Sequence, residues 1–302
     1  MNQLTPDDVA KAAATLESAF QQRDRWAGTR AQPRVGIFGN GMPENLVAAA
    51  GAVPVHLSMG ATAEKHAVAS IIEPFVDEEV RIFLIRLMRG DFSACRGIIF
   101  ARDDAPALIA YQYATEWIRQ RKPRETTPPL FLWNLVHTSS DPVRRFNAVQ
   151  AEKLFEFFQD IGLTRPDATA LGRAAADEVR RMAALEVMQA AVGARLSGTT
   201  AMCWRNAGRF MSAGEHAALL EAAVMRTQVR DHGRRRIGVV GSPLASAETL
   251  AMLEAFGTVV CDLQPFGSIW PGPGNVASDL HGMLDAAAGD TSCPRITPAS
   301  AH

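Results

Sequence analysis

Two stretches of the sequence read almost alike: Arg34-Val35-Gly36-Ile37-Phe38-Gly39 and Arg236-Ile237-Gly238-Val239-Val240-Gly241. Each is a short apolar run that ends in glycine, as buried parallel strands often do. In both places a turn with a proline, a helical run and a second apolar run follow. We interpret the stretches as two copies of one β-α-β unit, which predicts an α/β fold with two parallel sheets. The alternative, that unrelated β-α-β units look alike, stays open.

The first copy continues into a complete α/β domain. Its strands are predicted over residues 34–39, 53–57, 97–101 and 130–133, and its helices over 45–50, 76–89 and 105–121. Strands that alternate with helices in this way form a parallel sheet with helices on both faces.

The second copy is shorter, and a long helical segment separates it from the first. Residues from 146 to about 230 are helical almost throughout by composition, whereas the second copy offers strands at 236–241 and 258–263 with helices at 247–255 and 276–287. A sheet with only these two strands would leave an edge uncovered. We therefore expect this domain to be incomplete. The predicted division is an N-terminal helix (1–33, opened by Thr5-Pro6-Asp7-Asp8), a first α/β domain (34–140), a helical segment (141–233) and a partial second α/β domain (234–302).

Composition and charge exclude several classes of protein. The 302 residues are 47% hydrophobic and 21% charged, which is typical of a soluble globular chain. With 31 Lys and Arg against 32 Asp and Glu, the net charge of −1 does not favour nucleic acid or an anionic membrane as a partner. No run approaches the ~20 apolar residues of a membrane span, and the N-terminus lacks the order of a signal peptide. We therefore expect a cytoplasmic protein.

The glycine motifs and the histidines give little direct support for a familiar chemistry. Gly39-Asn40-Gly41 follows a strand, but the third glycine of the dinucleotide signature is missing and His56 stands where an acid is expected. We interpret the motif as a tight turn, and a dinucleotide-dependent oxidoreductase remains a minor alternative. No histidine pair has metal-binding spacing, and most of the histidines are interpreted as surface or loop residues.

Polar residues follow two of the predicted strands. Asp103-Asp104 comes after the third strand and His137 after the fourth, at the sheet edge where α/β proteins bind ligands. The two aspartates could bind a metal, act as acid and base, or cap the helix that starts at Ala105, and we expect the cap. His137 is either a functional residue or an ordinary loop histidine.

Residues 35–46 (Val-Gly-Ile-Phe-Gly-Asn-Gly-Met-Pro-Glu-Asn-Leu) and 48–55 (Ala-Ala-Ala-Gly-Ala-Val-Pro-Val) resemble the opening signature of the 2-hydroxyacyl-CoA dehydratase and benzoyl-CoA reductase family. The likeness continues through residues 96–100, the helical middle and residues 236–267. It implies two Rossmann-like domains with a helical part, pairing with a homologous subunit, and an acyl-CoA thioester substrate. It also implies a [4Fe–4S] cluster held by cysteines and reduced by an activator ATPase.

The sequence departs from the family at the positions of the cluster ligands. The family's first cysteine matches Glu73, within Ile71-Ile72-Glu73-Pro74-Phe75, and the second matches Asp104. A third comes from late in the second domain, the part that this chain is expected to lack. The chain's own cysteines, Cys95, Cys203, Cys261 and Cys293, fall at other positions, and we expect no cluster in this chain.

Two hypotheses follow. In the favoured one the chain is a cluster-less, non-catalytic partner subunit that binds an acyl-CoA near Asn40, Gly41, Pro43, Glu44 and His137. In the alternative it is an active dehydratase or reductase subunit, with an atypical metal on Glu73 and Asp104 or with the cluster held by its partner. Carboxylates suit Mg²⁺, Mn²⁺ or non-haem iron better than a sulfide cluster.

Overall fold

The structure is a computed structural model that describes residues 5–23, 32–39, 44–57, 72–73, 76–121, 127–138, 140–224, 235–241, 247–264, 267 and 276–289. Its first helix is α1 (Pro6–Gln21). The Thr5 hydroxyl accepts from the backbone N–H of Asp8, and the Asp8 carboxylate accepts from the backbone N–H of Thr5 at 2.9 Å. This capping box confirms the predicted helix start.

The first sheet has four parallel strands in the order β2-β1-β3-β4. They are β1 (Arg34–Phe38), β2 (Val53–His56), β3 (Gly97–Ala101) and β4 (Leu130–Trp133), connected by α2 (Glu44–Ala49), α3 (Glu78–Arg89) and α4 (Ala105–Arg121). The chain moves outward from β1 to β2 and then returns to place β3 on the other side of β1. The strand order therefore reverses between β1 and β3, and the predicted α/β fold is confirmed.

Four helices follow β4: α5 (Asp141–Asp160), α6 (Ala168–Ala191), α7 (Gly198–Ala207) and α8 (Ala213–Val224). A short 3₁₀ turn, Gly208–Phe210, joins the last two. Helices thus occupy most of residues 146–224, as the composition predicts, and the first of them begins at Asp141, where the predicted helical segment (141–233) starts. Gly162 and Gly193 follow α5 and α6 with φ of 75° and 84°, the left-handed conformation that ends helices.

Alternate residues of the first sheet face two apolar cores. Val35 and Ile37 pack on one face with side chains of α2 and α5. Phe38 packs on the opposite face, where its ring centroid lies 4.5 Å from that of Phe83, in a core that extends to α1 and α6–α8. The N-terminal helix therefore joins the helical segment, where it packs against α7 and α8.

The second copy of the β-α-β unit forms a parallel pair, β5 (Arg236–Val239) and β6 (Thr258–Asp262), with α9 (Ala247–Glu254) between them. β6 packs against the start of α7, where a Cβ on Gly198 would lie 2.5 Å from Val259 Cβ. The last described helix, α10 (Leu280–Gly289), contacts α5, and its Met283 and Leu284 join the core of the first sheet. By packing, this helix lies with the first sheet, although its sequence follows the second.

Candidate functional site

Polar residues gather where the strands of the first sheet end. Gly39 follows β1, His56 is the last residue of β2, Asp103 and Asp104 follow β3, and His137 comes shortly after β4. All four strands are parallel, so these residues lie along one edge, called the carboxyl edge below. Open α/β sheets usually bind ligands in the crevice at such a reversal of strand order, which here falls between β1 and β3 at this edge.

Gly39 and Asp104 meet at the reversal point. Gly39 has a φ of 101°, and a Cβ there would lie 2.8 Å from Ala107 Cβ and 3.3 Å from Asp104 Oδ2. Asp104 Oδ1 accepts a hydrogen bond of 3.1 Å from the backbone N–H of Ala107. The expected cap of α4 is therefore confirmed, and it places the carboxylate of Asp104 directly against the turn that follows β1.

His137 connects three parts of the chain. Its Nε2 contacts the carboxylate of Asp103, and its Nδ1 is 2.8 Å from the backbone carbonyl oxygen of Ala288, near the end of α10. Both ring nitrogens therefore have oxygen partners within the protein. His137 fastens the C-terminal helix to the carboxyl edge, so that a ligand would approach this histidine only by displacing one of its partners.

A largely buried group of charged side chains extends from the same edge into the helical segment. Glu44 Oε1 is 2.7 Å from His56 Nε2, and its other oxygen, Oε2, is 3.6 Å from Arg181 Nη1. Arg181 Nη2 donates to Glu178 Oε1 at 2.7 Å, and Arg209 Nη1 donates to His56 Nδ1 at 3.2 Å. We call Glu44, His56, Glu178, Arg181 and Arg209 the buried ion cluster.

Burial and neighbouring charges shift the pKa values within this cluster. Burial acts to raise the pKa of Glu44, but His56 and the arginines outweigh it and lower that pKa well below its usual range. Burial and Arg209 lower the pKa of His56, and together they outweigh Glu44, which acts to raise it. Burial lowers the pKa of Arg209 to about 9, whereas Glu178 and Glu44 outweigh burial and raise that of Arg181. The cluster thus holds an ionised carboxylate beside a neutral imidazole.

A second buried histidine supports the 3₁₀ turn that carries Arg209. His216 is fully buried, its Nε2 donates to the carbonyl of Trp204 at 2.8 Å, and burial lowers its pKa to about 3. A Cβ on Gly208 would lie 2.3 Å from His216 Nδ1. His56 and His216 are exceptions to the interpretation of most histidines as surface or loop residues, because strand and helix packing enclose both rings.

One turn of α7 earlier, Arg205 makes a corresponding contact with the second sheet. Its Nη1 is 3.6 Å from Asp262 Oδ2, at the carboxyl end of β6, and its Nη2 donates to Gln189 Oε1 at 3.2 Å. Burial lowers the pKa of Arg205 to about 10 and raises that of Asp262. Arg205 and Arg209 therefore reach the ends of corresponding strands, β6 and β2, in the two copies of the repeat.

Little in the sequence indicates that arginines are the partners of His56 and Glu44. Arg181, Arg205 and Arg209 lie in a segment whose composition indicates only helix. The available signal was the position of His56, a titratable residue that ends an otherwise apolar strand. A buried polar group of this kind requires a partner, but the sequence does not tell which distant residue supplies it.

The described residues do not supply the donors of an iron–sulfur cluster. Cys95 precedes β3, at the opposite end of the sheet from Asp104, while Cys203 lies in α7 and Cys261 in β6. Burial raises the pKa of Cys95 and of Cys203 to about 11, which disfavours the thiolate that binds iron. Within the described ranges no group of three His, Cys, Asp or Glu side chains is arranged to hold a metal ion.

The two positions that match family ligands are already engaged in local structure. Asp104 caps α4, and the backbone oxygen of Glu73 accepts from Arg81 Nη2 at 2.5 Å, while the Glu73 residue is exposed. Hard carboxylates of this kind do not replace the soft thiolates of a sulfide cluster. The predicted ligand-binding residues Asn40, Gly41 and Pro43 lie outside the described residues, as does Cys293.

Comparison with known proteins adds one match. The family model described as 2-hydroxyglutaryl-CoA dehydratase, D-component, matches residues 40–301. A search of curated proteins finds none that matches the chain. In the part of the chain that the structure describes, no helix combines the length and the apolar character needed to cross a bilayer.

Proposed function

Because the chain belongs to the 2-hydroxyglutaryl-CoA dehydratase D-component family, we propose that it is the cluster-less, non-catalytic partner subunit of such a system. In this role it binds an acyl-CoA thioester at the carboxyl edge of the first sheet and pairs with a homologous subunit. That subunit holds the [4Fe–4S] cluster and receives electrons from an activator ATPase.

The observation that carries this proposal is the environment of Asp104. This residue stands where the family resemblance places a cysteine, and its carboxylate caps α4 beside Gly39. A thiolate in the same place could bind iron, whereas a capping carboxylate stabilises the helix and leaves the crevice free of a cluster. The reversal point is therefore still placed where a ligand could bind, but it lacks the thiolate donors of a cluster.

The surroundings of the crevice suit a CoA ester. Arg102 directly follows β3, is exposed, and donates to Asn134 Oδ1 at 3.2 Å, so a cation stands at the mouth of the edge. The phosphate groups of CoA are anionic, and a guanidinium recognises them well. Gly39, the described residue directly after β1, lies beside Asp104 at the same edge and supports placing the thioester there.

Calorimetric titration tests the binding function. The full chain, co-expressed with a homologous family subunit and purified without oxygen, is titrated with 2-hydroxyglutaryl-CoA, acetyl-CoA and free CoA. We expect saturable binding of the thioesters, and about three- to tenfold weaker binding for Arg102→Gln, since one charged hydrogen bond contributes about 1 kcal/mol. Arg119→Gln, an exposed arginine further along α4, serves as the matched control. Absence of heat with every thioester would exclude the function.

The alternative, an active subunit with a metal on Glu73 and Asp104, makes a different prediction. Carboxylates at both positions favour a hard cation over a sulfide cluster. Titration with Mn²⁺ would then show stoichiometric binding that Asp104→Asn abolishes. In the favoured function Mn²⁺ does not bind, and Asp104→Asn only weakens the cap of α4.

A further inference from the structure

The buried ion cluster joins the carboxyl edge of the first sheet to the helical segment. Glu44 is the first residue of α2, and His56 ends β2, the strand that follows α2. Their partners, Arg181 and Arg209, come from α6 and from the 3₁₀ turn. The contact between the two parts of the molecule therefore passes through α2 and the end of β2.

Hydrogen-bond chemistry fixes the state of His56. A guanidinium only donates, so the 3.2 Å contact with Arg209 Nη1 requires His56 Nδ1 to accept. The ring proton must then sit on Nε2, from which it is donated to Glu44 Oε1 at 2.7 Å. A second ring proton would point at the guanidinium. The neutral His56 ring therefore bridges Arg209, a cation of the helical segment, and Glu44, an anion of α2, by hydrogen bonds.

Both oxygens of Glu44 are held in this arrangement. Oε1 accepts from His56, and Oε2 faces Arg181, whose side chain is also bound by Glu178. The charged groups of this region are the carboxylates of Glu44, Glu178 and Glu79 and the guanidiniums of Arg181, Arg209 and Arg205. The carboxylate is thus occupied by protein groups and is oriented toward the helical segment.

We propose that Glu44, His56 and Arg209 are positioning residues that set the start of α2 at the carboxyl edge, beside the proposed ligand site, according to the placement of the helical segment. Glu44 acts on the ligand through α2 rather than by direct contact. This inference rests on the proposed acyl-CoA function for its effect on affinity, whereas the docking of α2 through a neutral His56 can be measured without a ligand.

The first test is ligand-free. Long-range proton–nitrogen NMR of the full chain is expected to show His56 with the proton on Nε2 and no titration between pH 6 and 8. Hydrogen exchange of residues 44–57 is expected to be at least about tenfold faster in His56→Leu, which loses both hydrogen bonds, than in the wild type. His56→Gln keeps one donor and one acceptor and is expected to stay within about threefold of the wild type. A His56 ring protonated on both nitrogens at pH 7, or equal exchange in all three proteins, would overturn the proposal.

The second test measures affinity for 2-hydroxyglutaryl-CoA in the co-expressed complex. We expect Glu44→Gln and His56→Leu to bind at least about tenfold more weakly, because a displaced α2 alters the carboxyl edge at which the ligand is proposed to bind. We expect His56→Gln to bind within about threefold of the wild type. Glu116→Gln, an exposed residue of α4, is the control. If the wild type itself binds no thioester, the proposed function fails while the exchange result still decides the docking role. Unchanged affinity in every variant would refute the positioning role alone.

Discussion

At Gly208 the backbone lies against the ring of His216, which leaves no room for a side chain. The two residues belong to the 3₁₀ turn and to α8, and this packing places the adjacent Arg209 beside His56. The cluster at the carboxyl edge therefore depends on a glycine that touches none of its charged members. Adding a single carbon atom at Gly208 should therefore change the stability of the protein measurably.

Gly208→Ala is expected to destabilise the protein. Its Cβ would lie 2.3 Å from His216 Nδ1, and overpacking of this kind costs about 1–3 kcal/mol. Gly172→Ala is the control, since this glycine of α6 has no neighbour within 4 Å of an added Cβ and the change is expected to stabilise the helix by about 0.5–1 kcal/mol. Urea unfolding measures both changes. Equal shifts in the same direction would contradict the packing described here.

His216 makes stability depend on pH. Its pKa is about 3 in the folded chain and near 6.5 when unfolded, so between these values only the unfolded chain takes up the proton. The free energy of unfolding therefore falls as the pH drops through this window. In the wild type, the free energy of unfolding is expected to be lower at pH 5 than at pH 7.5, and His216 accounts for about 2 kcal/mol of this difference. The difference should therefore be about 2 kcal/mol smaller in His216→Gln, and unchanged in His281→Gln, the exposed control. Denaturant unfolding at the two pH values gives the answer, and identical pH dependence in His216→Gln and the wild type would disprove it.

At the scale of elements, Glu254 links the second sheet to the helical segment. From the end of α9 its carboxylate accepts from the backbone N–H of Gly198 at 2.7 Å and from the Thr199 hydroxyl at 2.7 Å, at the start of α7. A carboxylate at a helix N-terminus satisfies free N–H groups and favours the helix dipole. The helix that carries Arg205 and leads into the 3₁₀ turn with Arg209 is thus capped by the second unit.

Glu254→Gln is expected to lower the free energy of unfolding by about 1–2 kcal/mol, because an amide replaces an ionised acceptor of several N–H groups. Glu186→Gln changes an exposed acid on α6 and should leave stability within about 0.5 kcal/mol of the wild type. Chemical denaturation compares the two variants. A Glu254→Gln protein as stable as the control would show that this cap is unimportant.

His137 fastens another element, the C-terminal helix α10. Removing its contact with the Ala288 carbonyl in His137→Ala should speed hydrogen exchange in residues 280–289 by about three- to tenfold, as expected for the loss of a contact worth about 1 kcal/mol. His281→Ala, an exposed change within α10 itself, is the comparison. Mass-spectrometric exchange that is equal in the two variants would count against the fastening role.

Most elements of the fold could be predicted because their patterns are local. The apolar runs that end in glycine mark β1 and β5, and the Thr5-Pro6-Asp7-Asp8 start marks α1. The pairing of Glu44 with Arg181 was beyond prediction, since it joins residues far apart in the chain and depends on the docking of the helical segment on β2. The same holds for α10, whose apolar residues would suit either sheet.

At the scale of the whole molecule, two copies of one β-α-β unit meet through the helical segment. Arg209 reaches the end of β2, and Arg205 reaches the end of β6. The first copy has a four-stranded sheet, and the second shows a two-stranded pair among the described residues. The family match, over residues 40–301, includes β2, β6 and both arginines.

We propose that this chain, although a member of the family, holds no [4Fe–4S] cluster. Analysis of iron and acid-labile sulfide decides it most directly, on the full chain purified without oxygen and incubated with iron and sulfide, with a cysteine-complete family subunit treated in parallel. We predict no stoichiometric iron or sulfide in this chain and a brown, cluster-loaded comparison protein. About four irons and four sulfides per chain, with the visible absorption of a [4Fe–4S] cluster, would contradict the claim.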